Sequence, residues 1–202
     1  MDTMYIGSGD VTALLSGLNT ETHYNLLRRF VSGVKPYYNA KNSPINALRT
    51  GAILEDRYFL CLDDSWFSQY KVQSEDMDVF KASLDFARLE AGAVCEFQEV
   101  KTVEFDDYMN INAMNEAERL KAVKKKYKHY YNQVQEQLYC TGLPFATMVF
   151  VAVLSYDDDV NYSRVIEPHE ILKVRIDMDE SVISLIKERG KPFQMLKDYY
   201  TK

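Results

Sequence analysis

Residues 81–105, KASLDFARLEAGAVCEFQEVKTVEF, decide the fold expected of this chain. Strand-forming residues on either side of Ala91-Gly92-Ala93 predict a hairpin whose glycine takes a positive φ and in which Asp85 lies opposite Glu99. Alternation along the strands puts Asp85, Glu99 and Lys101 on one face, among small or apolar side chains. Unpaired buried charge is costly, whereas carboxylates around a cation are stabilised. The hairpin therefore predicts a divalent-metal site of the kind that cuts phosphodiesters.

The length of 202 residues favours a single domain over residues 1–202, and the composition is ordinary for a soluble globular protein. The longest apolar run, 145–154, is too short to span a bilayer, and the three cysteines lack the spacing of a disulfide framework or a metal cage. Both features fit a cytoplasmic protein with no membrane partner. The net charge of -6 is unusual for a nucleic-acid-binding protein, but the basic residues are grouped, which keeps nucleic acid open as a ligand. These groups are Arg28 and Arg29, and Lys121, Lys124, Lys125, Lys126 and Lys128.

A predicted helix over residues 45–62 supplies a third carboxylate, that of Glu55. A single glutamate on a core-facing stripe is usually a boundary residue or an ion-pair partner. Because Asp85 and Glu99 already require another oxygen ligand, we expect Glu55 to be a metal ligand instead. The predicted stripe consists of Leu48, Gly51, Ala52, Glu55, Tyr58, Phe59 and Leu62.

A second informative helix is predicted over residues 116–139, with lysines in its first half and glutamines in its second. The lysines form either a solvated helix face or a contact to a nucleic-acid backbone. Gln135 and Tyr139 lie on the packing stripe and are expected to point at the same interior as Glu55. A glutamine satisfied by backbone groups is the alternative reading of Gln135.

The remaining segments complete an α/β (α+β) fold, in which helices flank a mixed β-sheet core. Residues 5–18 form a loop that runs into a helix, and further helices cover residues 23–31 and 180–189, the last ending at Gly190. Strands are expected over residues 66–72, 143–155 and 169–177, and polar connectors over residues 33–44 and 106–115.

Four blocks of residues, in this order along the chain, resemble those of the PD-(D/E)xK nuclease superfamily. The resemblance is strongest to its phage recombination branch, the lambda exonuclease or YqaJ-type alkaline exonucleases. It implies a restriction-endonuclease-like fold for the whole domain. The blocks are Ile6-Gly-Ser-Gly-Asp10-Val; Val34-Lys-Pro-Tyr-Tyr-Asn-Ala-Lys41 followed by Ala47-Leu-Arg49-x-Gly51-x3-Glu55; Ser83-Leu-Asp85 with Glu99-Val-Lys101; and Asn132-Gln-Val-Gln-x-Gln-Leu-Tyr139-x-Thr-Gly142.

The resemblance implies a metal-dependent exodeoxyribonuclease. Such an enzyme digests one strand of linear double-stranded DNA in the 5′-to-3′ direction and leaves 3′ overhangs for recombination by single-strand annealing. Its cofactor would be one or two Mg²⁺ ions, or Mn²⁺, because hard oxygen ligands suit these cations. The ligands implied here are Glu55, Asp85, Glu99 and the carbonyl group of Val100.

The resemblance also assigns catalytic and DNA-binding roles to other side chains. Lys101 would orient the attacking water or stabilise negative charge on the phosphate. Either Gln133 or Gln135, together with Tyr139, would steady the water or the scissile phosphate. The residues expected to contact DNA are Ser8, Arg28, Arg29, Arg49, Lys124, Lys125 and Lys128.

The partners implied by the resemblance are double-stranded DNA ends, further copies of the chain in a ring, and a single-strand annealing protein. The setting would be the cytoplasm of a bacterial host, with the protein encoded by a phage or prophage. Two alternatives stay open at this point. One is a structure-specific endonuclease of the same superfamily, and the other is a non-catalytic DNA-binding protein.

Overall fold

The structure, a computed structural model, describes residues 4–33 and 45–201. The resembling block from Val34 to Lys41, and most of the connector predicted over residues 33–44, lie outside these residues. Eight helices and six strands are found in the two described ranges. The helices are α1 (Val11–Leu14), α2 (Glu21–Ser32), α3 (Ile45–Phe59), α4 (Phe105–Asn112), α5 (Glu116–Lys126), α6 (Lys128–Thr141), α7 (Asp158–Ser163) and α8 (Glu180–Thr201). The strands are β1 (Ile6–Gly7), β2 (Trp66–Gln73), β3 (Phe80–Glu90), β4 (Ala93–Glu104), β5 (Phe145–Val153) and β6 (Ile171–Asp177).

The strands form one mixed sheet in the order β1-β3-β4-β5-β6, and β2 pairs with β3 as well. β3 is antiparallel to β2 and β4, β4 is parallel to β5, and β5 is antiparallel to β6. The predicted fold class is thereby confirmed. β3 pairs with β4 through residues 86–90, so the two strands part beyond Phe86, where Asp85 and Glu99 follow.

The hairpin between β3 and β4 closes through a two-residue turn. Ala91 and Gly92 both have positive φ, 51° and 84°, which is the conformation of a type I′ turn. Glu90 therefore pairs with Ala93, and the predicted three-residue loop is wrong, although the positive φ of Gly92 is confirmed. A register shift next to Arg88 makes up the difference of one residue, so that Phe86 pairs with Gln98. The next step along this register brings Asp85 opposite Glu99, as predicted.

Helices cover both faces of the sheet and bury a separate apolar cluster on each. One face carries α1, α2, α6 and α8, whose buried side chains meet those of β3, β4 and β5. The other face carries α3, where Leu54 and Tyr58 pack against Phe86 and Val100. None of the helices in the described ranges is both long enough and apolar enough to cross a lipid bilayer.

The buried face of α3 differs from the predicted stripe. Tyr58 is buried as predicted, but Leu48, expected in the core, is 61% exposed, and Ile53 and Leu54, outside the predicted stripe, are buried. The helix is therefore rotated relative to the predicted orientation, and Glu55 lies half-buried at the edge of its packed face. The reason is that Leu54 packs against the sheet beside Tyr58, which contacts the Phe86 ring and donates a hydrogen bond to Gln98 Oε1 at 2.6 Å.

Three further elements differ from the sequence prediction. The helix predicted over residues 116–139 is two helices, because the chain turns at Tyr127 between α5 and α6. The connector predicted over residues 106–115 contains α4, which buries Tyr108 and Ile111. α8 does not end at Gly190: a Cβ there would lie 2.4 Å from the Phe80 ring, so this glycine permits close packing inside the helix.

Candidate active site

Glu99 lies at the centre of a polar cluster where β3 and β4 part. Its side chain is fully buried, and its Oε1 accepts hydrogen bonds from Lys101 Nζ, at 2.6 Å, and from Gln133 Nε2. Its Oε2 accepts from Gln137 Nε2, also at 2.6 Å. A buried carboxylate is stable only with such donors, because burial without partners costs free energy. One strand residue and two glutamines on one face of α6 therefore hold this carboxylate in place.

Asp85 joins the cluster from β3. Its Oδ2 accepts a hydrogen bond from the backbone N–H of Val100 at 2.8 Å, which links the two strands beyond their last paired residues. Burial and then repulsion from Glu99 raise the pKa of Asp85 to about 8, while Lys101 acts in the opposite direction. The raised pKa therefore reflects the burial of Asp85 first and the nearby charge of Glu99 second.

Glu55 approaches the same cluster from α3. Its Oε1 accepts a hydrogen bond from Gln69 Nε2 at 2.7 Å. Burial raises the pKa of Glu55, the hydrogen bond from Gln69 lowers it, and the charge of Glu99 raises it again. Because the Gln69 amide also accepts a hydrogen bond from Ser83 at 3.1 Å, Glu55 is connected to β3, the strand that carries Asp85.

Lys101 balances part of the negative charge. Burial lowers the pKa of its ammonium group, but attraction to Glu99 and Asp85 outweighs burial and the net shift is upward. The Nζ atom also lies 5.1 Å from the centroid of the Tyr130 ring, at cation–π distance. Lys101 is therefore charged at neutral pH and fixed beside two carboxylates.

The donor set fits a hard divalent cation. Glu55, Asp85 and Glu99 offer carboxylate oxygens, the ligands that Mg²⁺ prefers, and their mutual repulsion is what a cation would relieve. As the side chains stand, no three His, Cys, Asp or Glu residues within the described ranges form a ready-made ligand cage. Oε1 of Glu99 already accepts two hydrogen bonds, whereas Oε2 accepts one and keeps a lone pair for a cation.

The structure brings Gln133 to the cluster but corrects the expected positions of Gln135 and Tyr139. Gln135 Nε2 donates to the carbonyl oxygen of Asp177 at 3.0 Å and its Oε1 accepts from the backbone N–H of Asp179, so the alternative of a glutamine satisfied by backbone groups is confirmed. Tyr139 donates from its hydroxyl group to Asp76 at 3.2 Å, and its ring packs on the edge of Phe80. Neither side chain points at the interior that holds Glu55, because both lie on other faces of α6.

Sequence reasoning missed Gln137 as a partner of Glu99. Gln133 and Gln137 are four residues apart and therefore share one face of α6. Gln137 is fully buried, and its Nε2 also donates to the carbonyl oxygen of Ser83 at 3.1 Å. The i, i+4 spacing of these two glutamines was the signal that could have identified the pair.

Most residues predicted to contact DNA make ion pairs elsewhere or lie on the open surface. Arg29 pairs with Asp10, Arg49 with Asp158 at 2.7 Å, and Lys124 with Asp179 at 3.3 Å. The side chains of Arg28, Lys125 and Lys128 are exposed. Of the predicted set, Ser8 lines a cleft that also borders Ser83 of β3.

A cleft of about 560 Å³ lies beside the carboxylate cluster, with Ser83 in its wall. Two lysines that the sequence analysis did not select, Lys71 on β2 and Lys81 on β3, also line it. Because strand residues two apart share a face, Lys81 and Ser83 follow the same side of β3 as Asp85. The full lining consists of Tyr5, Gly7, Ser8, Gly9, Lys71, Val72, Gln73, Lys81, Ala82 and Ser83.

The mixed sheet and its flanking helices share their fold with solved exonuclease structures. An alkaline exonuclease from Laribacter hongkongensis, LHK-Exo, superposes with a TM-score of 0.62 at 18% sequence identity, covering 98% of this chain and 92% of that chain. A phage-related exonuclease from Haemophilus somnus 129PT superposes with a TM-score of 0.61 at 14% identity, covering 97% and 96%. A structure of LHK-Exo in complex with dAMP gives 0.59 at 18% identity, covering 99% and 92%. The predicted resemblance is thereby confirmed as a shared fold.

No protein-family model matches this sequence, and no curated protein matches it significantly.

Proposed function

We propose that this protein is a metal-dependent exodeoxyribonuclease that digests one strand of linear double-stranded DNA from its 5′ end. The observation that carries the proposal is the convergence of Asp85, Glu99 and Lys101 at the point where β3 and β4 part, with Glu55 connected to β3 through Gln69. A protein that only binds DNA gains nothing from buried carboxylates that face the DNA, because they repel its phosphate groups. The fold shared with two exonuclease structures supports the same class of activity.

Metal binding and stabilisation of the phosphate charge would fall to different residues of the cluster. Glu55, Asp85, Glu99 and the carbonyl group of Val100 would hold Mg²⁺ or Mn²⁺, which when bound activates water and neutralises charge on the phosphate. Lys101, charged and fixed by Glu99, would stabilise the negative charge that develops on the phosphate oxygens.

Gln133 and Gln137 would act on the metal ligand Glu99 and not on the substrate. Gln133 and Gln137 hold Glu99 from the side of α6 and thereby keep one carboxylate in a single orientation. Such supporting hydrogen bonds fix the orientation of metal ligands in proteins. We assign the functional role to this pair and not to Gln135, whose amide joins α6 to the end of β6.

The cleft lined by Lys71 and Lys81 would receive the DNA backbone. Lysines neutralise phosphates without reading sequence, so the contact suits an enzyme that digests any duplex end. The net charge of -6 makes a local basic cleft more important, since the chain as a whole repels DNA. Ser8 and Lys81, in this cleft, are our candidates for contacts with the 5′-terminal phosphate.

The proposal extends to the biological setting. A 3′ overhang is the substrate of single-strand annealing proteins, so we propose such a partner and a role in recombination of a phage or prophage. We also propose a ring-shaped homo-oligomer, since an enzyme that encloses its duplex remains bound between cleavage steps. Sedimentation of the purified protein tests the oligomer, and a monomer at all concentrations would contradict it.

One assay separates this function from its alternatives. Linear duplex DNA, labelled at either the 5′ or the 3′ end of one strand, is incubated with the protein and Mg²⁺ beside closed circular duplex. We expect early release of the 5′ label and no digestion of the circle. Cutting of the circle would indicate an endonuclease, and no cleavage of either substrate would indicate a binding protein.

A further inference from the structure

We propose that Gln69 is a positioning residue that holds Glu55 in the orientation required of a metal ligand. The inference rests on the proposed function, because it concerns the same carboxylate cluster. Gln69 lies on β2, a strand that supplies none of the expected ligands, and its side chain reaches both α3 and β3.

Two hydrogen bonds fix the side-chain amide of Gln69. Its Nε2 donates to Glu55 Oε1 at 2.7 Å, and its Oε1 accepts from the hydroxyl group of Ser83 at 3.1 Å. A carboxylate can only accept and the amide oxygen can only accept, so the two partners determine which end of the amide faces which residue. Gln69 therefore connects the helix that carries Glu55 to the strand that carries Asp85.

The backbone of Gln69 is unusual. Its φ is 53°, in the left-handed region that is disfavoured for residues with a Cβ atom. Its neighbours Ser68 and Tyr70 pair with Phe86 and Leu84, so Gln69 lies beside Asp85 on the adjacent strand. The side chain is exposed, which excludes burial in the core as the reason for this conformation. This backbone conformation lets the side chain make both hydrogen bonds. Residues with such disfavoured backbone angles concentrate at functional sites.

Glu55 has a physical need for such a partner. It is half-buried on a helix packed against the opposite face of the sheet, and the charge of Glu99 repels it. A glutamate with no fixed partner populates several rotamers, most of which point away from the other carboxylates. Hydrogen bonds to metal ligands typically change metal affinity by about 10- to 100-fold. We expect the contribution of Gln69 to fall in this range.

Metal binding without DNA tests the role independently of cleavage. The dissociation constant for Mn²⁺ is measured by electron paramagnetic resonance for the wild type, Glu55→Gln, Gln69→Gly and Ser83→Ala. Gln69→Gly accepts the positive φ but lacks the amide, so we expect a dissociation constant about 10-fold higher. Ser83→Ala should give a smaller increase, because it frees only one end of the amide. Ser68→Gly is the matched control, since it adds a glycine next to Gln69 without touching Glu55.

The outcomes separate this inference from the proposed function. Wild-type Mn²⁺ affinity in a folded Gln69→Gly variant, with weakened binding in Glu55→Gln, would overturn the positioning role alone. Wild-type affinity in Glu55→Gln would overturn the metal site and the positioning role with it. Should Gln69→Gly fail to fold, Gln69→Asn gives the same test, because asparagine tolerates left-handed backbone and is one methylene too short to reach both partners.

Discussion

Gln137 donates a hydrogen bond to Glu99 Oε2 at 2.6 Å, and both side chains are completely shielded from solvent. The same Nε2 atom lies 3.1 Å from the carbonyl oxygen of Ser83. One amide on α6 thus contacts β3 and β4 at the point where these strands no longer pair with each other. This contact from α6 therefore stabilises the gap between β3 and β4 in which the carboxylates lie.

Replacing Gln137 should therefore destabilise the fold as well as the site. Gln137→Met keeps the volume but leaves a buried carboxylate oxygen and a carbonyl oxygen without their donor, which we expect to cost about 2–4 kcal/mol. Urea unfolding of the two proteins measures the difference. Gln133→Met is the matched control, because Gln133 is only partly buried and serves one acceptor, so its loss should cost about 1 kcal/mol. Equal losses in the two variants would contradict the bridging role of Gln137.

Asp85→Asn and Lys101→Ala should each abolish cleavage without unfolding the protein. Loss of one charged group in such a site typically lowers kcat by about 10²–10³-fold or more. The raised pKa of Asp85 shows that its charge is unfavourable in the metal-free fold, so Asp85→Asn should be as stable as the wild type or more stable. Label release from linear duplex and thermal unfolding are measured together. Wild-type turnover in either variant would count against the assigned site.

Glu136 should make stability depend on pH. Burial raises the pKa of this fully buried carboxyl from 4.5 to about 8, and its Oε1 accepts from the Cys140 thiol at 3.2 Å. The folded state thus keeps a proton that the unfolded chain releases, so this group's contribution to stability falls as pH rises from about 4.5 to 8. The loss amounts to about 3 kcal/mol by pH 7.

The test compares Glu136→Gln with the wild type by urea unfolding at pH 5, 7 and 8. We expect the glutamine variant to gain stability relative to the wild type at each step upward in pH. Glu188→Gln, on an exposed position of α8, serves as the control and should show no such trend. A difference between Glu136→Gln and the wild type that does not change with pH would show that Glu136 is ionised in the folded protein.

The hairpin turn offers a stabilising substitution. Ala91 has a φ of 51°, and asparagine adopts this conformation more readily in the first position of a type I′ turn. Ala91→Asn should therefore stabilise the protein by about 0.5–1 kcal/mol, whereas Ala93→Asn, in the adjacent strand position, should not. Thermal unfolding measures both. Stabilisation by the second substitution alone would indicate the three-residue loop instead.

The approach of Asp85, Glu99 and Lys101 could be predicted because strand periodicity fixes which residues share a face. The position of Asp85 opposite Glu99 was predicted correctly although the turn was not, because the register shift next to Arg88 offsets the shorter turn. Helices were less predictable, because their rotation about their own axes depends on tertiary packing. The turn at Tyr127 sets the orientation of α6, and the burial of Ile53 and Leu54 sets that of α3; neither has a local signal in the sequence.

The DNA-binding residues were the least predictable part of the site. A run of lysines marks charge along the chain, but ion pairs such as that between Arg49 and Asp158 form between residues distant in sequence. The cleft lysines Lys71 and Lys81 lie singly on two strands and become neighbours only through the pairing of β2 with β3. The role of Gln69 was not predictable either, because no sequence pattern marks a glutamine with left-handed backbone in a strand.

The most direct test of the proposed site is an anomalous difference map from crystals of the protein soaked in Mn²⁺. We expect a peak enclosed by the carboxylates of Glu55, Asp85 and Glu99, with the Lys101 ammonium group beside it and the peak lost in Asp85→Asn. A peak elsewhere on the surface, with no density among these three acids, would contradict the proposal.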